Sequence, residues 1–439
     1  MKAMRKGRAA RFGLLAIGMA WILSTAVRTQ TAAAPILVVV NDGSPNPFGA
    51  YLPEILRAEG IKTFSTVQLA AVDAPTLAGA RLVILAETPL TGPQATLFTN
   101  HVTGGGRLIA MRPDVQLNGV LGLTPVGTST TNGYLAINQS DPTGTGLTSL
   151  TLPVQGTATH YTMAGGASAL ATLYSDQSTA TPYPAVVRYN NTLTWTFDLA
   201  RAVAYARQGP PANANVNYYL PALQSWDIFA TGFDAQRMRV PYADVEMRLF
   251  SRAVRDLLAS DTPLPQLWYF PSGRRAMMIV ASDTHTTTLP PHEALLTAAE
   301  SFGARVTLFL SRYLGVPSAA LAANWRARGH ELSLHPYGFE DGVSLNQGFQ
   351  NAVNYFTQQG WGPSGPTIRT HQIEWLGWTD AVDIAANYGM RLDLNHYSFG
   401  PSTQQPDGTQ GMGYITGSGL PMRFIRSDGS LTGVYGLST

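Results

Sequence analysis

The chain has 439 residues, is 45% hydrophobic and only 13% charged, and contains no cysteine. That balance belongs to a globular protein long enough for two or three domains. Without a thiol there is no disulfide, thiolate zinc site, cysteine-linked lipid anchor or cysteine nucleophile. The formal net charge is +2, but removing residues 1–26 takes away five basic residues and no acidic one, leaving −3. No basic stripe survives, which excludes a nucleic-acid partner.

Lys2, Arg5, Lys6, Arg8 and Arg11 precede an apolar run from Phe12 to Val27 that ends in small residues. This is the layout of a secretory signal, taken as residues 1–34. The protein is then expected in the periplasm, outside the cell or on its surface, with no membrane span after leader removal. An uncleaved anchor is the competing reading, although the run is short for a span.

Ile36–Asn41 reads as a buried parallel strand, and Tyr51, Leu52, Ile55 and Leu56 follow at helical spacing before Gly60. Arg81–Ala86 is a second strand, Pro93–Val102 a helix and Arg107–Met111 a third strand. This alternation predicts a doubly wound α/β domain. Gly104–Gly106 follow a helix and precede a strand, the wrong order for a phosphate cradle. Residues 116–197, rich in Thr, Gly, Ser and Asn, predict a β-rich elaboration. Strand and helix return at Leu193–Asp198 and Leu199–Gln208, and Tyr242–Ser260 is an amphipathic helix. The prolines of Asp261–Gln266 mark a boundary, dividing the mature chain into residues 35–262 and 267–439.

Four apolar runs beyond that boundary end in polar side chains: Ala276–His285, His330–Tyr337, Thr367–His371 and Arg391–Tyr397. Six of the eight histidines lie after residue 270. Strands that deliver polar tips to one rim, with helices at Pro291–Phe302, Ser318–Arg328 and Thr379–Tyr388 between them, predict a (β/α) barrel. His292 and His330 are expected at the surface, the latter closing a helix.

These blocks resemble the NodB-homology polysaccharide deacetylases, carbohydrate esterase family 4. The similar stretches are SDTH (Asp283, His285), GHELSLH ending at His335, IRTHQIEWLGW (Arg369, His371, Trp375), MRLDLNHYSFGP (Asp393, His396, Tyr397) and GSGLPMRF. Together with Phe197–Gly209 they resemble a secreted bacterial group that joins such a domain to a glutamine-amidotransferase-like one. The resemblance implies an incomplete deacetylase-type (β/α) barrel after the α/β domain, and metal-dependent hydrolysis of an acetyl group on a polysaccharide or acetylated sugar. In that family one aspartate and two histidines hold the metal, a second aspartate is the base, an arginine orients it and a late histidine is the acid. Amidotransferase activity is excluded, since its nucleophile is a cysteine.

The chain departs from that pattern. The family's paired carboxylates fall on Asp283 and Thr284, or in the alternative register on Ser282 and Asp283, so one is missing; Phe339 stands where HxxxH would place an imidazole, and no strand bearing the acid histidine follows Met422–Ile425. The expectation is that the chain is either a truncated product or covers the edge so left open with the N-terminal domain or a second copy. Asp283, His285, His335 and His371 form a replacement ligand set suited to a divalent metal, Zn²⁺ above all. Arg369 is placed to pair with Asp283, making Asp283, Arg369 and His371 the catalytic candidates. Tyr337, Trp375, His396 and Tyr397 are the candidate sugar contacts. The expected activity is metal-assisted removal of N- or O-acetyl groups from a carbohydrate. The alternatives are a non-catalytic carbohydrate-binding or scaffold protein and an esterase or amidase for a small acylated molecule.

Overall fold

The computed structural model describes residues 34–217, 220–229, 240–260, 263–284, 288–313, 316–396, 403–404, 410–411, 414 and 416–438. The leader therefore lies outside the described residues. The strand β1 (Ile36–Val40) is five apolar residues, all buried. Strand side chains alternate between faces, so such a run needs cover on both. Ile36, Val38 and Val40 pack into one core with α1 (Tyr51–Ala58), while Leu37 and Val39 pack into a second core, on the other face.

After α1 the first half continues through β2 (Phe64–Gln68), α2 (Ala74–Ala78), β3 (Leu82–Leu85), α3 (Gly92–Thr103) and β4 (Leu108–Met111). The elaboration follows as β5 (Leu123–Thr131), β6 (Tyr134–Ile137), β7 (Leu152–Pro153), β8 (Thr157–Met163), β9 (Ser168–Tyr174), β10 (Ala180–Tyr189) and β11 (Thr192–Trp195). One nine-stranded sheet runs β2-β1-β3-β4-β11-β10-β9-β6-β7, with β5 and β8 forming a separate ribbon. Pairing is parallel from β2 to β11 and antiparallel beyond it. Helix α4 (Leu199–Gln208) starts at Asp198, whose carboxylate caps the Ala200 and Arg201 amides, and stops at Gly209, with φ of 70°. Helix α5 (Tyr242–Leu258) covers the same face as α1 and α4.

The second half alternates β12 (Val280–Asp283), α6 (Leu289–Ser301), β13 (Val306–Leu310), α7 (Ala319–Ala327), β14 (Glu331–Leu334), α8 (Leu345–Gln358), β15 (Thr367–Ile368), α9 (Asp380–Asn387) and β16 (Leu392–Asp393). A short pair, β17 (Thr403–Gln404) and β18 (Gln410–Gly411), precedes the hairpin β19 (Met422–Ile425) and β20 (Leu431–Gly436). The expected barrel is not closed: the strands form a parallel sheet β12-β13-β14 and a mixed sheet β15-β16-β20-β19. The two sheets meet where the Gly365 amide donates to the Leu332 carbonyl at 2.8 Å and the Ser333 hydroxyl bonds the Gly365 carbonyl at 2.9 Å. Of the expected strand Ala276–His285, only Val280–Asp283 pairs among the described residues, and Met277 and Met278 before it are 51% and 80% exposed.

The outer edge of β19 is covered by the first half. Gln208 on α4 accepts the Ile425 amide at 2.9 Å and donates to the Ile425 carbonyl at 3.0 Å, replacing a missing strand with one buried carboxamide. Glu54 on α1 accepts the Arg423 amide at 3.0 Å and its guanidinium at 2.7 Å. One apolar core accordingly runs through both halves, and Ala34–Thr439 packs as a single unit. Among the described residues no helix is long and apolar enough to cross a membrane.

Candidate functional site

Asp283, Ser311, His335 and Arg369–His371 stand at or just past the ends of β12, β13, β14 and β15, on one rim. His335 is 2% exposed and its Nδ1 lies 2.8 Å from the Arg369 carbonyl oxygen. A carbonyl only accepts, so Nδ1 carries a proton towards it. Arg369 also places Nη1 3.6 Å from Asp283 Oδ1, and its guanidinium lies over the Phe309 ring at 5.4 Å. Asp283 Oδ1 has no hydrogen-bond partner among the described residues.

His371 is held by a strained turn. Gln372 and Ile373 have φ of 52° and 49°, a left-handed backbone that is costly for a β-branched residue. The turn is fixed from several sides. The Thr370 hydroxyl donates to the Glu374 carbonyl at 2.9 Å, the Ser225 amide to the Ile373 carbonyl at 3.1 Å, and the Gln224 side chain to the Gln372 carbonyl at 2.7 Å. The His371 ring then stacks on Tyr337 with centroids 3.9 Å apart and meets His335 edge-on at 5.7 Å. Its Nδ1 lies 3.9 Å from Glu340 Oε2. Asp393 is buried, pushed up to about 6 by burial, and accepts from the Asn395 amide and side chain. Asn395 in turn accepts from the Thr370 amide at 2.8 Å, which fixes the strand end carrying Arg369 and His371.

Several rim residues escaped the sequence reading. Glu374, buried and raised by that burial, accepts the Gly338 and Phe339 amides at 3.0 and 3.1 Å and clamps the loop after β14. Arg312 Nη2 meets Asp341 Oδ2 at 2.6 Å, the Tyr313 hydroxyl bonds Asp341, and Tyr313 packs on Tyr337 at 4.6 Å. These groups flank a hollow of about 300 Å³, mouth included, whose lining includes Ser311, Arg312, His335, Tyr337 and Asp341. The only sequence signal was the acidic pair Glu340–Asp341 just past a strand end.

Other expected residues fall elsewhere. Thr284, aligned with the missing carboxylate, is 1% exposed, and its hydroxyl donates to the Phe309 carbonyl and accepts the Ser311 amide at 3.1 and 3.0 Å. It clips β12 to β13. Trp375 is 2% exposed, against His396 at 4.7 Å and Phe424 at 6.0 Å, and so offers no free face to a sugar. His396 is 4% exposed in the same interior, and burial followed by the nearby Arg207 charge lowers it to about 3. His292 and His330, expected at the surface, are buried at 3% and 4%. His330 accepts the Val306 amide and faces Glu300 at 2.8 Å, so its polar atoms are satisfied inside. His285 and Tyr397 lie outside the described residues. Among the described residues no three acid or imidazole groups come together as a metal-ligand set. Asp283, His335 and His371 thus share a rim without closing on one point.

No family model matches the chain, and no curated protein does. Solved structures similar to it include an exo-β-1,4-mannosidase from Opitutaceae bacterium strain TAV5, at 13% identity and a TM-score of 0.29. That match covers 39% of this chain and 32% of the mannosidase. A cytoplasmic protein of Salmonella typhimurium LT2 matches at 12% identity and TM-score 0.29, over 37% of this chain and 87% of that one. A glutamine amidotransferase from Thermotoga maritima matches at 11% identity and TM-score 0.35, over 52% of this chain and 98% of that one. Likenesses of this degree carry no argument about function.

Proposed function

We propose that this protein hydrolyses an acyl group from a carbohydrate, in line with the deacetylase resemblance, at the rim formed by Asp283, His335, Tyr337, Arg369 and His371. The observation that carries the reading is the tautomer of His335. With its proton committed to the Arg369 carbonyl, Nε2 is the basic nitrogen and is suited to take a proton from water. In this reading the water attacks the acyl carbon and His371 returns a proton to the leaving nitrogen or oxygen as its bond to that carbon breaks. Arg369 pairs with Asp283 and holds the strand ends in register. The zinc ion expected at Asp283, His285, His335 and His371 carries no step here, because the described donors do not converge.

The test is acetate release from an acetylated amino-sugar oligomer by the mature chain, with and without a chelator and with metal content measured. His335→Gln and Asp283→Asn are expected to slow release at least about 100-fold without altering the fold. A chelator-sensitive rate would place a metal in the reaction. Full activity in His335→Gln would overturn the assignment. A non-catalytic carbohydrate-binding or scaffold protein is the second reading, favoured by the Thr284 hydroxyl being spent between two strands. No release by the wild type, with sugar binding that Tyr313→Ala weakens, would select it.

A further inference from the structure

The stretches Phe197–Gly209 and Gly417–Phe424, singled out in the sequence yet absent from the rim, meet around a second chamber. It occupies about 260 Å³, mouth included, between α1, α4 and the β19–β20 hairpin, and its lining includes Tyr51, Arg207, His396, Thr416, Phe424 and Ser438. Its narrow interior suits a single small ion or water. Arg207 is 8% exposed. Its Nη1 donates to the Ser418 hydroxyl and its Nη2 to the Gly436 carbonyl at 3.1 Å. The Asp244 carboxylate lies one hydroxyl further on, accepting from Ser418 at 2.5 Å, and its charge acts on Arg207.

A buried charge or polar atom is costly unless it is paired and hydrogen-bonded. Two further polar atoms here have no hydrogen-bond partner among the described residues: Ser438 Oγ, and Nε2 of His396, which is 96% buried. The other ring nitrogen of His396 faces Asp393 at 4.0 Å. A hydroxyl, a guanidinium and an imidazole can all donate, and the residues that line the chamber include a second arginine, Arg423, and no acid. We infer that this chamber is a binding site for one small monovalent anion of chloride size, held by Arg207 with Ser438 and His396.

Two measurements on the full chain test this. Crystals soaked in bromide are expected to show one anomalous-scattering peak inside the chamber, against the Arg207 guanidinium. In solution, replacing gluconate by chloride at constant ionic strength should raise the unfolding midpoint saturably, as a ligand of the native state does. Ser438→Ala, which leaves Arg207 and its packing in place, should weaken the half-saturating chloride concentration about tenfold. A chamber without a bromide peak, or a midpoint indifferent to chloride, would mean that it holds water and would overturn the inference. So would a Ser438→Ala response equal to the wild type.

Discussion

Gln208→Leu isolates the contact that closes the β19 edge. The carboxamide is 2% exposed and makes two bonds to one residue, accepting the Ile425 amide at 2.9 Å and donating to its carbonyl at 3.0 Å. Leucine has similar bulk, so little cavity forms, but both backbone groups are left buried and unpaired. Each costs about 1–3 kcal/mol, which gives roughly 4 kcal/mol for the pair. For a folded unit of this length that is about 5 °C in unfolding midpoint. Chemical denaturation gives the free energy, and amide hydrogen exchange at Ile425 gives the location. A loss under about 1 kcal/mol with the Ile425 amide still protected would show that the edge does not rely on α4 for its hydrogen bonds.

Glu246 on α5 is 3% exposed, and burial raises it well above its ordinary value of 4.5. It holds its proton more tightly in the folded chain than in the unfolded one, so it costs up to about 1.4 kcal/mol of stability per pH unit above pH 4.5. That cost is at most about 3.5 kcal/mol by pH 7, and Glu246→Gln is expected to remove it; an unchanged stability–pH slope would refute the assignment. Thr284→Asp sets a carboxylate against the Phe309 carbonyl and should destabilise by about 3 kcal/mol without creating metal affinity, both readable by calorimetry. Arg369→Met should reduce acetate release with little change in KM, because the guanidinium it removes pairs with Asp283 and positions that group rather than holding the sugar.

What the sequence made legible depended on local punctuation. Helix α4 and strand β19 match their expected limits, Leu199–Gln208 and Met422–Ile425, because for the helix Asp198 caps one end and Gly209 stops the other. Thr367–His371 was read as strand throughout, but only Thr367–Ile368 pairs. The turn that follows is dictated by Gln224 and Ser225, some 150 residues earlier, whose bonds no local pattern reveals. Trp375 and His396 carried the same difficulty: residue type marked them as binding groups, whereas long-range packing put them inside. Asp283, His335, Arg369 and His371 were legible because each ends an apolar run.

The same long-range packing explains why the rim and the chamber belong to one folded unit rather than to separable modules. Segment 223–229 is bonded across the turn bearing His371, through Ser225 to Ile373 and to the Asn395 carbonyl at 2.6 Å, and Phe229 packs on His396 at 5.6 Å. Asn395 links that contact to Thr370, and Asp393 links it to the strand carrying both. A change in how the first half seats on β15 and β16 therefore acts on His371 through backbone hydrogen bonds, with no contact between α1 or α4 and the rim required. Separating the halves at residue 266 would free the Ile373 turn to relax from its left-handed conformation and would uncover the β19 edge at the same time. An isolated 267–439 fragment is accordingly expected to aggregate through that edge, whereas co-expression with residues 35–262 restores a soluble complex. A monomeric, cooperatively folded fragment would show that the second half carries its own edge protection.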